Sequence, residues 1–282
     1  MTVLLPKELK LPAMPQVARE CLLYLYNPNI DAALLSKALS RDIGISANIF
    51  KLANSSQFVL GRGPPTSDLK KAIIRIGSEN LRQLMLLYAM ENTVMFKGSA
   101  FFSYKSFSRH SLFVSLLCTG FAHKISPDSV ADVQLAGLMH DVGLALMNIF
   151  CLDLFLKMEQ HCLEKQVDFV KAEENFDLES HAALGAMALN EWEIPEKVKH
   201  IVSLHDTKNI ELRKNLPQET NRLLDILMLS DLLAHSFGFG FAHYKRDTRV
   251  ELSLLKKMEL TTDDVKEVVK NALEMESALQ GS

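Results

Sequence analysis

Seven side chains in this sequence have types that could do chemistry together: His110, His140, Asp141, His181, His205, Asp206 and Asp231. His140-Asp141 is the most conspicuous, because Ala136-Gly137-Leu138-Met139 precedes it and Val142-Gly143-Leu144-Ala145-Leu146-Met147 follows. An ionisable pair in so apolar a run must find partners, since an unpaired buried polar group costs roughly 1–3 kcal/mol or more. His110 shares a helical face with Val114 and Leu117, and Asp231 lies between Ile226-Leu227-Met228-Leu229-Ser230 and Leu232-Leu233-Ala234. His181 opens an apolar run, and His205-Asp206 closes the stretch carrying Val198, Ile201, Val202 and Leu204.

Each of these residues, taken singly, has a plain structural explanation. His140 or Asp141 could bond to nearby backbone, and His110 could be a satisfied core histidine. Asp231 could meet His235 one turn along its helix, and His205 could interact with the last carbonyls of its own helix. Together they supply four imidazoles and two or three carboxylates. Those are the ligands of divalent transition metals such as Fe, Mn, Zn or Ni, and bringing such groups together would resolve all their burial costs at once. No local motif such as HExxH is present, so the fold has to assemble the set.

The elements that must do so read as helices. Leu69, Ala72, Ile73 and Ile76 form an apolar stripe at i, i+3, i+4 and i+7. Thr66 or Ser67 is expected to cap that helix, Gly77 to end it and Ser78 to start the next. Thr261-Thr262-Asp263-Asp264 is a helix-start signal before Val265, Val268, Val269 and Ala272. Strand signals are weak: apolar and polar residues nowhere alternate over six positions, and Asn-Gly and Asp-Gly turns are missing. Loops are expected at Gly61-Arg62-Gly63-Pro64-Pro65, from Lys97 to Phe102, and from Lys208 to Glu219. The expectation is an all-α protein, with an N-terminal helical lobe over 1–97 and a helical lobe over 98–282 carrying the polar set.

Composition narrows the setting. Over 282 residues the chain is 48% hydrophobic and 23% charged, with a net charge of −3, so it offers no basic footprint for direct nucleic-acid binding or an anionic membrane. Cys21, Cys118, Cys151 and Cys162 form no CxxC pair and sit among apolar neighbours, which points to buried thiols in a reducing compartment. The longest apolar stretches, Gly143 to Leu156 and Leu223 to Ala242, are interrupted by Asp153, Asp225 and Asp231. A cytoplasmic protein is expected.

Taken in order, His110, His140-Asp141 and Asp231 resemble the His, His-Asp, Asp pattern of the HD superfamily of metal-dependent phosphohydrolases. The first lobe sharpens the likeness. Leu11-Pro12-Ala13-Met14-Pro15, Ser40-Arg41-Asp42, the segment from Ser46 through Ala53-Asn54-Ser55, and Leu69 to Gly77 resemble the opening of HDOD domains, the HD-related output domains. Ala136 to Gly143 and Trp192-Glu193-Ile194-Pro195-Glu196 continue it, so the resemblance runs from about Leu11 to Asp231.

The resemblance implies an HD-type helical bundle in a bacterial, intracellular protein of signal transduction or regulation, with a protein partner. It also implies a metal site of one or two ions. His110, His140, Asp141 and Asp231 would hold one ion. His181 and His205, with Asp206 beside them, match the second-metal positions of the related HD-GYP phosphodiesterases. The alternative activity is hydrolysis of a nucleotide or other phosphate ester, with Asp141 as the catalytic, bridging residue. Leu144 stands where HD-GYP enzymes carry a phosphate-facing lysine, Ser106 where some carry a glutamate, and His205-Asp206 replaces their paired histidines. Lys171 and Arg109 are the candidate cations for a phosphate.

Overall fold

The computed structural model describes residues 16–25, 31–59, 64–93, 97, 99, 101–192, 194–207, 209–241 and 248–280. Residues 11–15, 61–63, 98, 100, 193 and 208, which belong to the family likeness or the expected loops, lie outside these. Among the described residues the secondary structure is helical throughout, with no strand, as the periodicity predicts. The chain divides into two compact units, one within Val94–Lys270 and the other formed within Pro12–Thr93 and from Asn271 onward.

In the smaller unit, α1 (Gln16–Leu25), α2 (Ala32–Leu39), α3 (Ile43–Ala53), the short α4 (Ser56–Val59) and α5 (Leu69–Thr93) follow one another. Asp31 caps α2 by accepting from Ala33 N at 2.8 Å, and Asp42 caps α3 by accepting from Ile45 N at 3.0 Å. Ile45, Ile49, Leu52 and Ala53 form the buried stripe of α3. Gly77 interrupts α5 with φ 79°, a left-handed value that glycine adopts without steric penalty, so α5 is two helices meeting at a kink. The cap of the first differs from expectation. Asp68 accepts from Lys71 N at 3.1 Å, while Thr66 Oγ1 accepts from Asp68 N, so Thr66 holds the capping residue instead of capping.

The Ala53-Asn54-Ser55 segment has a structural task there. The Asn54 side chain donates to Thr66 O at 2.9 Å and accepts from Thr66 N at 2.8 Å, the pattern of a paired strand residue. Arg75 completes the clamp by donating to Ala53 O, Asn54 Oδ1 and Pro64 O.

In the larger unit come α6 (Tyr104–Ile125), α7 (Val130–Met139), α8 (Val142–Phe150), α9 (Leu152–Lys165), α10 (Phe169–Asn175), α11 (His181–Glu191), α12 (Glu196–Leu204), α13 (Gln218–Ser236) and α14 (Leu252–Lys257), followed by the start of α15 (Thr262–Gln280). The helix-start signal before α15 closes a reciprocal cap, with Thr261 N donating to Asp264 Oδ2 and Asp264 N to Thr261 Oγ1. Phe102, Phe107, Phe113, Phe121 and Phe155 are fully buried and supply much of the core volume.

The stretch Pro127–Phe150 is the one in the described residues long and apolar enough to span a membrane, and 89% of its most apolar window is buried inside the protein. It is a core element. The four cysteines are free thiols. Cys21, Cys118 and Cys162 are buried, and burial pushes the thiols of Cys118 and Cys162 up to about 12.

Candidate metal centre

Five helix positions of the larger unit bring the seven polar residues together. Ser103 and Ser106 close a capping box at the start of α6, which carries His110 inward two turns later. His140 and Asp141 are the whole connection between α7 and α8. Ser180 caps α11 by accepting from Ala183 N, which leaves His181 as its first residue. His205 terminates α12 with Asp206 next, and Asp231 projects from the middle of α13. Gly143 makes the α8–α11 meeting possible, because a Cβ there would stand 1.9 Å from His181 O and 3.0 Å from Gly185 N. Only glycine lets the two backbones approach so closely.

Asp141 is the shared member. Its Oδ2 lies 3.4 Å from His110 Nε2 and 3.3 Å from His140 Nε2. Its Oδ1 lies 3.4 Å from both His181 Nε2 and His205 Nε2. Asp231 Oδ1 serves the first pair, at 3.3 Å from His110 Nε2 and 3.8 Å from His140 Nε2. Asp206 Oδ2 serves the second, at 3.1 Å from His181 Nε2 and 3.3 Å from His205 Nε2. Donor atoms of His110, His140 and Asp231, of His140, Asp141 and His205, and of His181, His205 and Asp206 fall in triples within 4.8 Å of one another. These groups could hold metal ions.

The far nitrogens fix the tautomers. His110 Nδ1 faces Phe239 O at 3.1 Å, His140 Nδ1 faces Gly137 O at 2.8 Å, and His205 Nδ1 faces Val202 O at 2.7 Å. A carbonyl can only accept, so each Nδ1 carries the hydrogen. His181 Nδ1 donates to Glu173 Oε1 at 2.8 Å, and the same oxygen accepts from His181 N at 2.7 Å. Every Nε2 of a neutral ring therefore turns a lone pair inward. His110 and His140 bring these nitrogens within 3.2 Å, and His181 and His205 within 3.4 Å. Two lone pairs at such distances repel unless a cation or a proton stands with them, so the donor set fits a bound cation.

Protons satisfy the same need. Burial disfavours a charged His110, but the Asp141 and Asp231 carboxylates outweigh it and raise the imidazole to about 9. Burial is likewise overcome at His205 by Asp206 and Asp141, which bring it to about 10. It is overcome at His181 chiefly by Glu173 and Asp141, which hold it well above its ordinary value. Burial would raise Asp141, yet His140 and the other imidazoles hold it well below the usual carboxylate range.

The simple structural contacts are present as well: His140 and His205 make theirs through Nδ1, and Asp231 through the same oxygen that faces the centre. Asp231 does meet His235, with Oδ1 3.4 Å from Nε2. His140 and His205 do bond to their own helices. The candidate phosphate cations are placed differently. Lys171 pairs with Glu174 on the exposed face of α10, and the Arg109 guanidinium lies over the Phe239 ring, 4.5 Å from its centroid. Leu144 is buried, 1% exposed. Glu173 was missed from the sequence. In Lys171-Ala172-Glu173-Glu174 it looks like one charge of a solvated face, whereas its side chain is only 3% exposed.

Fold and centre together define an all-helical protein built around a buried His/Asp cluster. The HDOD domain family model matches residues 11–208, and the chain belongs to that family. Among solved structures it is similar to an HDOD domain protein of Geobacter sulfurreducens, with TM-score 0.78, 21% identity, and 96% of this chain and 93% of that one covered. A Marinobacter aquaeolei VT8 protein provisionally named for signal transduction aligns with TM-score 0.71 and 16% identity, over 96% of this chain and 58% of that one. A Shewanella amazonensis SB2B protein provisionally named a phosphohydrolase aligns with TM-score 0.71 and 18% identity, over 95% of each. At these identities the likeness is one of fold. An uncharacterized Treponema pallidum (strain Nichols) protein is 20% identical over 247 residues, which are 87% of this chain and 46% of that protein. The chain thus spans about half the length of the curated relative it matches.

Proposed function

We propose that this HDOD protein binds two divalent transition-metal ions and acts as a phosphohydrolase on a phosphate ester or nucleotide within a bacterial signalling process. The observation that carries this reading is the division of Asp141, with Oδ2 toward His110 and His140 and Oδ1 toward His181 and His205. A carboxylate that offers one oxygen to each of two donor clusters is the arrangement a bridged ion pair requires. When bound, paired divalent ions supply Lewis acidity and ionise water near neutral pH, which is the chemistry of phosphoester hydrolysis.

The chain's own residues do the rest. His110, His140 and Asp231 would hold one ion, His181, His205 and Asp206 the other, and Asp141 would serve both. The carbonyls of Phe239, Gly137 and Val202 keep three imidazoles aimed inward, and surrounding helices exclude bulk water. Asp206, at 11% side-chain exposure the most open of the four acids that contact these histidines, marks the side from which a ligand approaches.

A second reading, a metal-braced regulatory module without turnover, is favoured by Leu144. The HD-GYP phosphodiesterases that the site resembles carry a phosphate-facing lysine at this position, and the leucine here is a core residue. Elemental analysis joined to an assay separates the two. Protein loaded with Mn, Fe, Zn or Ni is incubated with phosphomonoesters and phosphodiesters, alongside Asp141→Asn. Two ions per chain and turnover lost in the variant support the hydrolase. Two ions without turnover favour the braced module, and absence of bound metal overturns both.

A further inference from the structure

The two halves of the centre have the same composition at the inner surface: two imidazole Nε2 atoms, one private aspartate and one oxygen of Asp141. They differ in what stands behind the rings. Three of the four imidazoles rest their Nδ1 on a neutral backbone carbonyl. His181 rests on a carboxylate. Glu173 Oε1 receives both His181 Nδ1 and His181 N, which fixes the ring and the first peptide of α11 with one oxygen, and Glu173 Oε2 is buried without a hydrogen-bond partner. Glu173 therefore spends its buried charge on His181.

A carboxylate behind an imidazole pulls on the Nδ1 hydrogen and makes the opposite nitrogen a stronger donor to a cation. The other half is modified in the opposite sense. Asp231 Oδ1, the oxygen turned to His110 and His140, also has His235 Nε2 at 3.4 Å, so part of its donor capacity is directed away from the centre. Both differences act in one direction.

We propose that Glu173 is the positioning residue that makes the two ion positions unequal, with the His181, His205 and Asp206 position filling first and the His110, His140 and Asp231 position second. The inference rests on the two-ion reading above. It deepens that reading by giving the site an order of filling, and hence a singly loaded state at low metal. In that state His181, with Glu173 behind it, is engaged while the His110, His140 and Asp231 position is still open.

The test uses the full chain, stripped of metal and titrated with Mn(II) and Co(II), with ion content and binding steps read by elemental analysis and calorimetry. Wild type is expected to bind in two resolved steps. Glu173→Gln keeps an acceptor for His181 and removes the charge, so the tighter step weakens by about 10–100-fold while the weaker step stays in place. Asp206→Asn removes the tighter step and Asp231→Asn the weaker one, which assigns the steps to positions. The 15N shift of His181 Nε2 moves in Glu173→Gln while those of His110 and His140 Nε2 stay in place, which a merely structural role does not produce. Two wild-type steps in Glu173→Gln, or loss of the weaker step in place of the tighter, overturn the proposal and leave the two-ion reading standing. Wild-type protein that binds no ion overturns both.

Discussion

Gly143 and His181 touch backbone to backbone where α8 crosses α11, and the carbonyl of His181 occupies the space that a side chain at position 143 would need. This contact delivers the first residue of α11 to the oxygens of Asp141, two residues upstream of the glycine. The fixed neighbour is backbone and cannot swing aside. Gly143→Ala is therefore expected to push α11 away, at a cost of about 1–3 kcal/mol. Thermal unfolding and metal content read the two consequences. Wild-type melting with full metal content in this variant would refute the account.

Removing single charges should subtract ions in a pattern set by geometry. Asp231 faces only His110 and His140 of the four inner imidazoles, Asp206 only His181 and His205, and Asp141 faces all four. Asp231→Asn and Asp206→Asn are each expected to retain one ion per chain, and Asp141→Asn none. Elemental analysis after gel filtration checks this. Equal losses in all three variants would mean that the ions are not held by separate clusters.

The pH dependence of the metal-free protein follows from the same contacts. His110 and His205 are raised to about 9 and about 10, above an unfolded value of roughly 6.5. Their charged contacts stabilise fully below about pH 6.5, where both states are protonated. Above it the folded protein keeps protons that the unfolded chain has released, and stability declines until the folded groups titrate near pH 9–10. Asp141 has the opposite sign: its contribution is present above its unfolded value, roughly 3.9, and is lost as pH falls further. Melting temperature of metal-free protein is expected to fall from pH 6.5 to 10. Metal-loaded protein should change much less and release protons on loading. A metal-free profile flat across this range would contradict the placement of these histidines against the carboxylates.

In the smaller unit, Asp42 both caps α3 and receives the Tyr88 hydroxyl at 2.5 Å. The Tyr88 hydrogen bond holds Asp42 below its ordinary value, and Asp42 in turn pushes Tyr88 up to about 12. Asp42→Ala should cost about 1–3 kcal/mol from the lost cap and bond together. Tyr88→Phe should cost less, because the cap remains. Denaturant melts of the two variants measure the difference, and equal losses would show that the cap contributes little.

How much of this was legible in the sequence depends on the range of the interaction. Helices were readable because the period of apolar residues such as Leu69, Ala72, Ile73 and Ile76 is a local property. The residues of the centre were readable because imidazoles and carboxylates inside apolar runs are costly wherever the chain folds. Glu173 was not, since its burial comes from the packing of α10 on α9 and from its bonds to His181 at the start of α11, and neither partner is near it in the local pattern. Asp68 was missed for a smaller reason: Thr66, Ser67 and Asp68 are all capable caps, and only the register of the first turn selects among them. The double duty of Asp231, turned to His110 and His140 and to His235, needed the depth of α13 in the unit.

His140 and Asp141 also punctuate the most lipid-compatible part of the chain. Pro127–Phe150 spans 24 residues at a mean hydropathy of 1.3 in its most apolar window, and this pair is the polar break between α7 and α8. While the chain is being made, before α11, α12 and α13 exist to cover it, these two residues are the ionisable break in a segment that otherwise has the length and apolarity of a membrane span. Apolar replacements here would therefore misdirect or aggregate the newly made chain, whatever they did to the centre. Polar isosteres such as Asp141→Asn keep the two effects apart.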